Sequence, residues 1–273
     1  MFDLSRIIAP QVRPLETYRT ADGVYNLLPD PVSEVEPDYV AHYREDALQF
    51  DYFAPPTDPA TVHESTRLHQ EILRHLPPAA RIVLDVGCGN AWVARALLPE
   101  REAVVSFDIA LRNTTEALRR HPAPNHFAVT GDAYRLPFLD GSVDAIVSSE
   151  VMEHVPDVPA YLAELLRVVK PGGRIVISTP YNETIQYSLC IHCNRRTPLH
   201  AHLHSFNEEL IARLLAPFAD VRYRTYTLSN KALLYLRTHS VLRHLPFRAW
   251  RAVDSLANRV VKKPARLVIV ICR

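Results

Sequence analysis

A chain of 273 residues, 48% hydrophobic, is long enough for one full α/β domain with additions and has the apolar content to fill its core. Its net charge of +1 gives no global attraction for nucleic acid. No run of about 18 apolar residues occurs, four cysteines make no disulfide framework, and Met1-Phe-Asp-Leu-Ser5 is not a signal-peptide pattern; a cytoplasmic protein without a transmembrane segment is expected, its oligomeric state open.

Residues 1–60 read as an N-terminal cap segment ahead of a domain at 61–273. Prolines and tyrosines crowd this segment, with a turn and short strand at 21–29. Residues 36–53 then read as one helix and 59–76 as another, the second with Val62, Leu68, Ile72, Leu73 and Leu76 at helical intervals. Ile82-Val-Leu84 is a buried-strand run, followed by Gly87 and Gly89 and by Ala91, Val93, Ala94, Leu97 and Leu98 at helical spacing. Strand, glycine turn and helix bring a ligand against bare backbone and helix-terminal N–H groups.

Asp85 closes that strand, and Asp108 closes the next apolar run, Ala103-Val-Val-Ser-Phe-Asp108. An acid at the second strand tip is where adjacent ribose hydroxyls are held. A third run ends Gly131-Asp132. Each acid alone reads better as a cap or a solvated loop residue; three at successive strand ends favour a nucleoside-bearing cofactor. Six of the seven glycines lie between Gly87 and Gly173, so special backbone conformations gather in this half. Residues 159–169 form an amphipathic helix, and strands are expected at 174–178, 221–228 and 265–273. Repeated strand–helix units imply a mainly parallel sheet with right-handed crossovers.

Two further stretches stand apart. In 181–206, Cys190 and Cys193 have the spacing that lets two thiolates reach one Zn²⁺, and His200, His202 and His204 alternate. Cys190, Cys193, His202 and His204 are therefore candidate zinc ligands, against a free thiol pair or metal-free packing. Residues 230–263 read as two helices broken at Pro246, with eight Lys and Arg against Asp254 alone. This is either a solvated face capping the sheet or a peripheral contact with an anionic membrane or acidic acceptor.

The glycine turn and strand ends resemble those of class I S-adenosylmethionine-dependent methyltransferases. Leu84-Asp-Val-Gly-Cys-Gly89 resembles the family's first motif, Phe107-Asp108 its second, and Gly131-Asp-Ala-Tyr-Arg-Leu-Pro-Phe138 its adenine-contacting segment. The fourth and fifth strands with their flanks, 143–154 and 166–180, complete a match over 81–180. The family's third glycine is replaced by Ala91. Residues 8–29 also resemble, without its cysteines, the zinc-ribbon segment preceding some of these enzymes.

The resemblance implies a seven-stranded, mainly parallel Rossmann-like sheet with helices on both faces, an N-terminal cap and a helical insertion before an antiparallel last strand. It implies that Asp85, Gly87, Cys88 and Gly89 face the methionine end of S-adenosylmethionine, Asp108 and Ile109 the ribose, and Asp132 and Ala133 the adenine. Glu150 would face the transferred methyl or the substrate. Helices ahead of the first strand often lid the substrate in this family, so Tyr39, Tyr43, Tyr52 and Phe53 either line an acceptor pocket or fasten the segment to the core. Tyr181 and His202 are further substrate-side candidates. His154, beside Glu150, is a candidate general base or a structural helix-end residue. The expected activity is methyl transfer to the oxygen, nitrogen or carbon of a small organic acceptor. Two other classes remain: a methyltransferase-like binding module without catalysis, and an NAD(P)-dependent oxidoreductase sharing the glycine turn.

Overall fold

The computed structural model describes residues 2–11, 13–28 and 39–273. In chain order it contains β1 (Tyr25–Asn26), α1 (Tyr39–Gln49), α2 (Pro59–His75), β2 (Ile82–Val86), α3 (Trp92–Leu97), β3 (Ala103–Asp108), α4 (Leu111–Arg120) and β4 (His126–Thr130). These are followed by β5 (Val143–Ser149), α5 (Val158–Val168), β6 (Val169–Pro180), β7 (Tyr187–Leu189), β8 (Arg196–Pro198) and α6 (Glu208–Leu215). The last elements are β9 (Arg222–Asn230), α7 (Lys231–Tyr235), α8 (His239–Leu242), α9 (Phe247–Val260) and β10 (Pro264–Cys272). The helix read over 36–53 covers Tyr39–Gln49; its residues 36–38 lie outside the described ones, as does Pro29 of the turn-and-strand reading.

The main sheet runs β1-β4-β3-β2-β5-β6-β10-β9, eight strands where seven are expected. The extra strand is the two-residue β1, parallel to β4. β2 to β6 are parallel, and β10 lies antiparallel between β6 and β9. Strand order reverses at β2, flanked by β3 and β5, so a crevice opens at the carboxyl ends of these strands.

Both faces of the sheet are covered, which is why the central strands read as continuous apolar runs. Leu84, Val86, Val105, Phe107, Ile146 and Ile175 pack on α5 and α6; Val83, Val104, Ala145, Val147 and Val176 pack toward α2, α3 and α9. Phe2, Leu4, Ile7 and Ile8 are buried in the first of these clusters, so the start of the N-terminal segment belongs to the sheet's own core.

The insertion before β10 is held by buried polar contacts. Arg67 of α2 donates to the carbonyls of Leu242, Arg243 and Leu245, and its guanidinium lies 5.2 Å from the Trp250 ring. Asp254 accepts the Asn230 N–H at 2.7 Å, while Arg251 pairs with Glu71. Tyr235, Leu236, Val241 and Val260 remain exposed.

Each of the two tryptophans carries a histidine. His69 stacks on Trp92 with centroids 3.8 Å apart, and His63 meets Trp250 edge-on at 6.0 Å. Burial, then nearby Arg95 for His69 and Arg67 for His63, pushes both imidazoles down to about 4. Unfolded histidine titrates near ~6.5, so the unfolded chain binds these protons first. The stability contributed by the neutral rings is whole above that value and is lost as pH falls to about 4. Asp85 and Glu153, whose carboxyls burial holds above their usual range, run against this slope. The informative comparison is therefore with a variant: His69→Phe is expected to flatten the acid limb of tryptophan-monitored stability by up to about one proton. An unchanged slope would contradict the assignment.

Candidate active site

A cavity of about 1000 Å³ opens at the carboxyl ends of β2 to β5, large enough for a nucleotide-sized ligand with a small second molecule. Its floor is the turn after β2. Gly87 takes φ +74°, and a Cβ there would lie 2.3 Å from Val151 Cγ2, so bare backbone is a steric requirement. Gly87 and Cys88 N–H groups both donate to the Phe107 carbonyl, at 2.8 and 2.9 Å, tying the turn to β3. Ala91, in place of the family's third glycine, stays left-handed (φ 54°, ψ 34°) at the N-cap of α3. The alanine thus keeps the turn at the cost of backbone strain rather than widening it.

Asp108 is 7% exposed on the cavity wall. Its Oδ2 accepts the Gly89 N–H at 3.1 Å and its Oδ1 the Ala110 N–H at 2.9 Å. Burial raises its pKa, against the pull of these backbone donors. Ile109 lines the cavity beside it. Asp132 and Ala133, after β4, form the next stretch of wall; Tyr39 donates its hydroxyl to Asp132 Oδ2 at 2.6 Å, and Tyr134 N–H reaches Oδ1 at 2.9 Å. Glu150, in a left-handed conformation after β5, accepts from Ser178 Oγ at 3.0 Å and pairs with Arg266 Nε at 2.9 Å. Arg266 also pairs with Glu64 at 3.2 Å.

Asp85 and Cys88 do not line the cavity. Strand alternation turns Asp85 to the face opposite Leu84 and Val86, where it is 1% exposed with Oδ2 lacking a hydrogen-bond partner. Burial and Asp108 hold its carboxyl well above the usual range. Cys88 Sγ lies 3.9 Å from Asp108 Oδ2.

The opposite side of the cavity is built by α1 and the loop between β6 and α6. Tyr39, Tyr43 and Tyr52 line it; Phe53 instead packs under Arg120, whose guanidinium lies 4.9 Å from the ring. Tyr181 is a correction: its hydroxyl donates to Glu208 at 2.8 Å, because pairing of Tyr181 with Phe206 turns the side chain toward α6 and out of the cavity lining. His202 does line the cavity, with Nδ1 2.6 Å from Glu183. His154 meets Tyr43 and His202 edge-on, at 5.7 and 4.8 Å. Burial, and secondarily His202, lowers its pKa to about 4, leaving it neutral and weakly basic near pH 7.

The four candidate zinc ligands are not brought together. Alternation of the histidines needs an extended strand, but His200 and Ala201 are left-handed (φ 60° and 55°), which breaks it. His204 Nε2 donates to the Val155 carbonyl at 3.0 Å. Cys190 and Cys193 sit in the turn joining β7 to β8, Cys193 exposed, and neither belongs to the cluster of metal-ligating side chains found among the described residues. Backbone N–H groups of Cys193 and His192 lower the Cys190 thiol's pKa. Residues that the sequence reading missed are Arg266, Glu153 and Glu183. Only Glu153 left a local signal, as the second acid of Glu150-Val-Met-Glu-His154.

The sheet order and the acid-lined crevice define the class I S-adenosylmethionine-dependent methyltransferase fold. Residues 84–177 match the family model described as a methyltransferase domain, and this part of the chain is such a domain. The chain is similar to the demethylmenaquinone methyltransferase of Beutenbergia cavernae, 42% identical over 101 residues, 36% of this chain and 41% of that protein. It is also similar to a ubiquinone biosynthesis O-methyltransferase of Xanthomonas campestris, 28% identical over 215 residues, 75% and 82% of the two chains. Among solved structures, a Mesorhizobium loti S-adenosylmethionine-dependent methyltransferase aligns with a TM-score of 0.54 at 17% identity, over 77% of this chain and 100% of that one. The chain spans only 19%, 41% and 37% of the lengths of three curated relatives that it matches at 36–42% identity. Among the described residues no helix is long and apolar enough to cross a membrane.

Proposed function

We propose that this protein binds S-adenosylmethionine in the crevice after β2 to β5 and passes its methyl group to a small organic acceptor held under α1 and the loop between β6 and α6. The observation that carries this reading is the convergence of Asp108, Asp132 and Glu150, from three strand ends, on one cavity floored by the backbone at Gly87 and Gly89. The residues fit the cofactor: a side chain at Gly87 would collide with Val151 on the cavity lining, so the cradle is kept as bare backbone, and Asp85 behind it holds a buried carboxyl oxygen without a partner.

In this reading Asp108 accepts the ribose hydroxyls, with Ile109 beside them, and Asp132 takes the adenine amino group while Ala133 packs on the ring. Gly87, Cys88 and Gly89 present the turn to the methionine end, with Asp85 acting from beneath. The cofactor, when bound, supplies a methyl on a positively charged sulfur, so displacement is downhill and alignment of the acceptor is what the protein contributes. Tyr43, edge-on to His154, walls the acceptor side, while Tyr39 closes over Asp132 and Phe50 and Tyr52 add aromatic surface to the same cavity. Glu150, held by Arg266 and Ser178, fixes a carboxylate at the boundary of the two compartments. His154 stays neutral and can accept a proton from a hydroxyl only weakly, so positioning outweighs base catalysis by this residue alone.

Transfer of labelled methyl from S-adenosylmethionine to a panel of phenolic, quinol, amine and carboxylate acceptors tests the reading. The relatives named for demethylmenaquinone and ubiquinone biosynthesis make quinols and phenols the first members of the panel. Label in one acceptor class is expected. Cofactor binding without turnover on any member would favour a binding module instead, and binding of NADH in its place would favour an oxidoreductase.

A further inference from the structure

Three ligating side chains meet on the acceptor side of the cavity. Glu153 and His154 lie in the single helical turn Met152–His154 after β5. His202 arrives from the loop that follows β8, because the Glu153 carbonyl accepts the N–H groups of Leu203 at 2.8 Å and His204 at 3.3 Å. One ligand atom from each of Glu153, His154 and His202 lies within 4.8 Å of the other two.

The carboxyl of Glu153 has no role in holding the fold that its surroundings explain. The residue is 1% exposed, lines the cavity, and neither Oε atom has a hydrogen-bond partner; the Thr179 hydroxyl lies near without closing one. Ionised, it is a buried charge facing a second acid, Glu150, with Arg266 the cation acting on it and already paired with Glu64 and Glu150; protonated, it keeps an unpaired O–H. Either state leaves a polar group aimed into space that a cation would fill.

The histidines are set for the same task. A backbone carbonyl can only accept, so His154 Nδ1, 3.3 Å from Ala201 O, carries the proton. His202 Nδ1 donates likewise to Glu183 Oε1 at 2.6 Å. Both rings then hold their free lone pair on Nε2, and each has the carbonyl or carboxylate support that orients metal-bound imidazoles.

We propose that Glu153, His154 and His202 bind a divalent transition-metal ion with open coordination positions facing the acceptor. Two imidazoles and one carboxylate suit Zn²⁺, Fe²⁺, Co²⁺ or Mn²⁺ and do not suit a structural thiolate site. The ion's binding stands on the cluster alone. Its use rests on the methyltransferase reading: an acceptor hydroxyl bound to it would be acidified and would pass its proton to water in the cavity, leaving an oxygen lone pair for the methyl.

Co²⁺ titration of the chelator-stripped full chain, followed by visible d–d absorption and by metal analysis after dialysis, tests this. One ion per chain is expected, with affinity at least about tenfold lower in Glu153→Gln, His202→Ala and the supporting variant Glu183→Gln. Affinity should be unchanged in Cys190→Ser/Cys193→Ser, without thiolate charge-transfer bands. Circular dichroism verifies folding, and His202→Ala and Glu183→Gln keep the test open if Glu153→Gln does not fold. Absence of saturable binding, binding that survives His202→Ala, or binding lost with the cysteines overturns the proposal. S-adenosylmethionine titrations on the same samples separate the two readings: cofactor binding without Co²⁺ binding removes the metal alone, and the converse removes the cofactor alone.

Discussion

Asp108→Ala is expected to weaken S-adenosylmethionine binding by roughly a hundredfold to a thousandfold in calorimetric titration, about 3–4 kcal/mol. The magnitude follows from the two charge-assisted hydrogen bonds that the proposed ribose contact would make, each worth about 1.5–3 kcal/mol. The same carboxylate already accepts the N–H groups of Gly89 and Ala110, so it also fixes the turn that floors the cavity. Alanine removes both functions. Asp108→Asn retains a carbonyl acceptor for one N–H and is expected to melt closer to the parent while still losing most affinity. Burial raises the Asp108 pKa, so parental affinity should decline on acidification at a pH above the ordinary carboxylate range. Near-parental affinity in a folded Asp108→Ala protein would remove the ribose assignment and with it the placement of the cofactor.

The centre of this molecule was readable because its physics is local. Runs such as Ile82-Val-Leu84 and Ala103-Val-Val are apolar on both faces, and the strands they form are buried on both faces. A carboxylate ending each run marks the crevice because strand ends are where such sheets bind ligands. What stayed hidden depends on distant partners or on exposed backbone. β1 is two residues held by pairing with β4, and β7 is exposed throughout, so neither carries a periodic signal. Arg266 is a single cation within an apolar strand; only the fold sets it between Glu64 and Glu150. The histidine alternation misled for a definite reason, since it assumed extended backbone where His200 and Ala201 are left-handed. Glu153 was visible as a letter beside His154, but its unsatisfied carboxyl emerges only when the loop at Leu203 closes over it.

Gly87→Ala is expected to destabilise the protein by about 2–5 kcal/mol in urea denaturation and to impair cofactor binding in whatever fraction still folds. Two costs add. The left-handed φ of +74° costs a residue with a Cβ about 1–2 kcal/mol, and the new methyl would sit 2.3 Å from Val151 Cγ2, an overlap worth about 1–3 kcal/mol more. The two are separable because only the second depends on Val151. Val151→Ala removes Cγ2 and leaves Val151 Cβ at 3.5 Å, an ordinary contact. In the double variant the overlap cost should disappear while the backbone cost remains, giving a favourable coupling of about 1–3 kcal/mol in a double-mutant cycle. Strictly additive losses would mean that the strand ends move apart freely. The close approach between the turn after β2 and the residue following Glu150 would then do nothing to hold the cofactor cradle against the acceptor side.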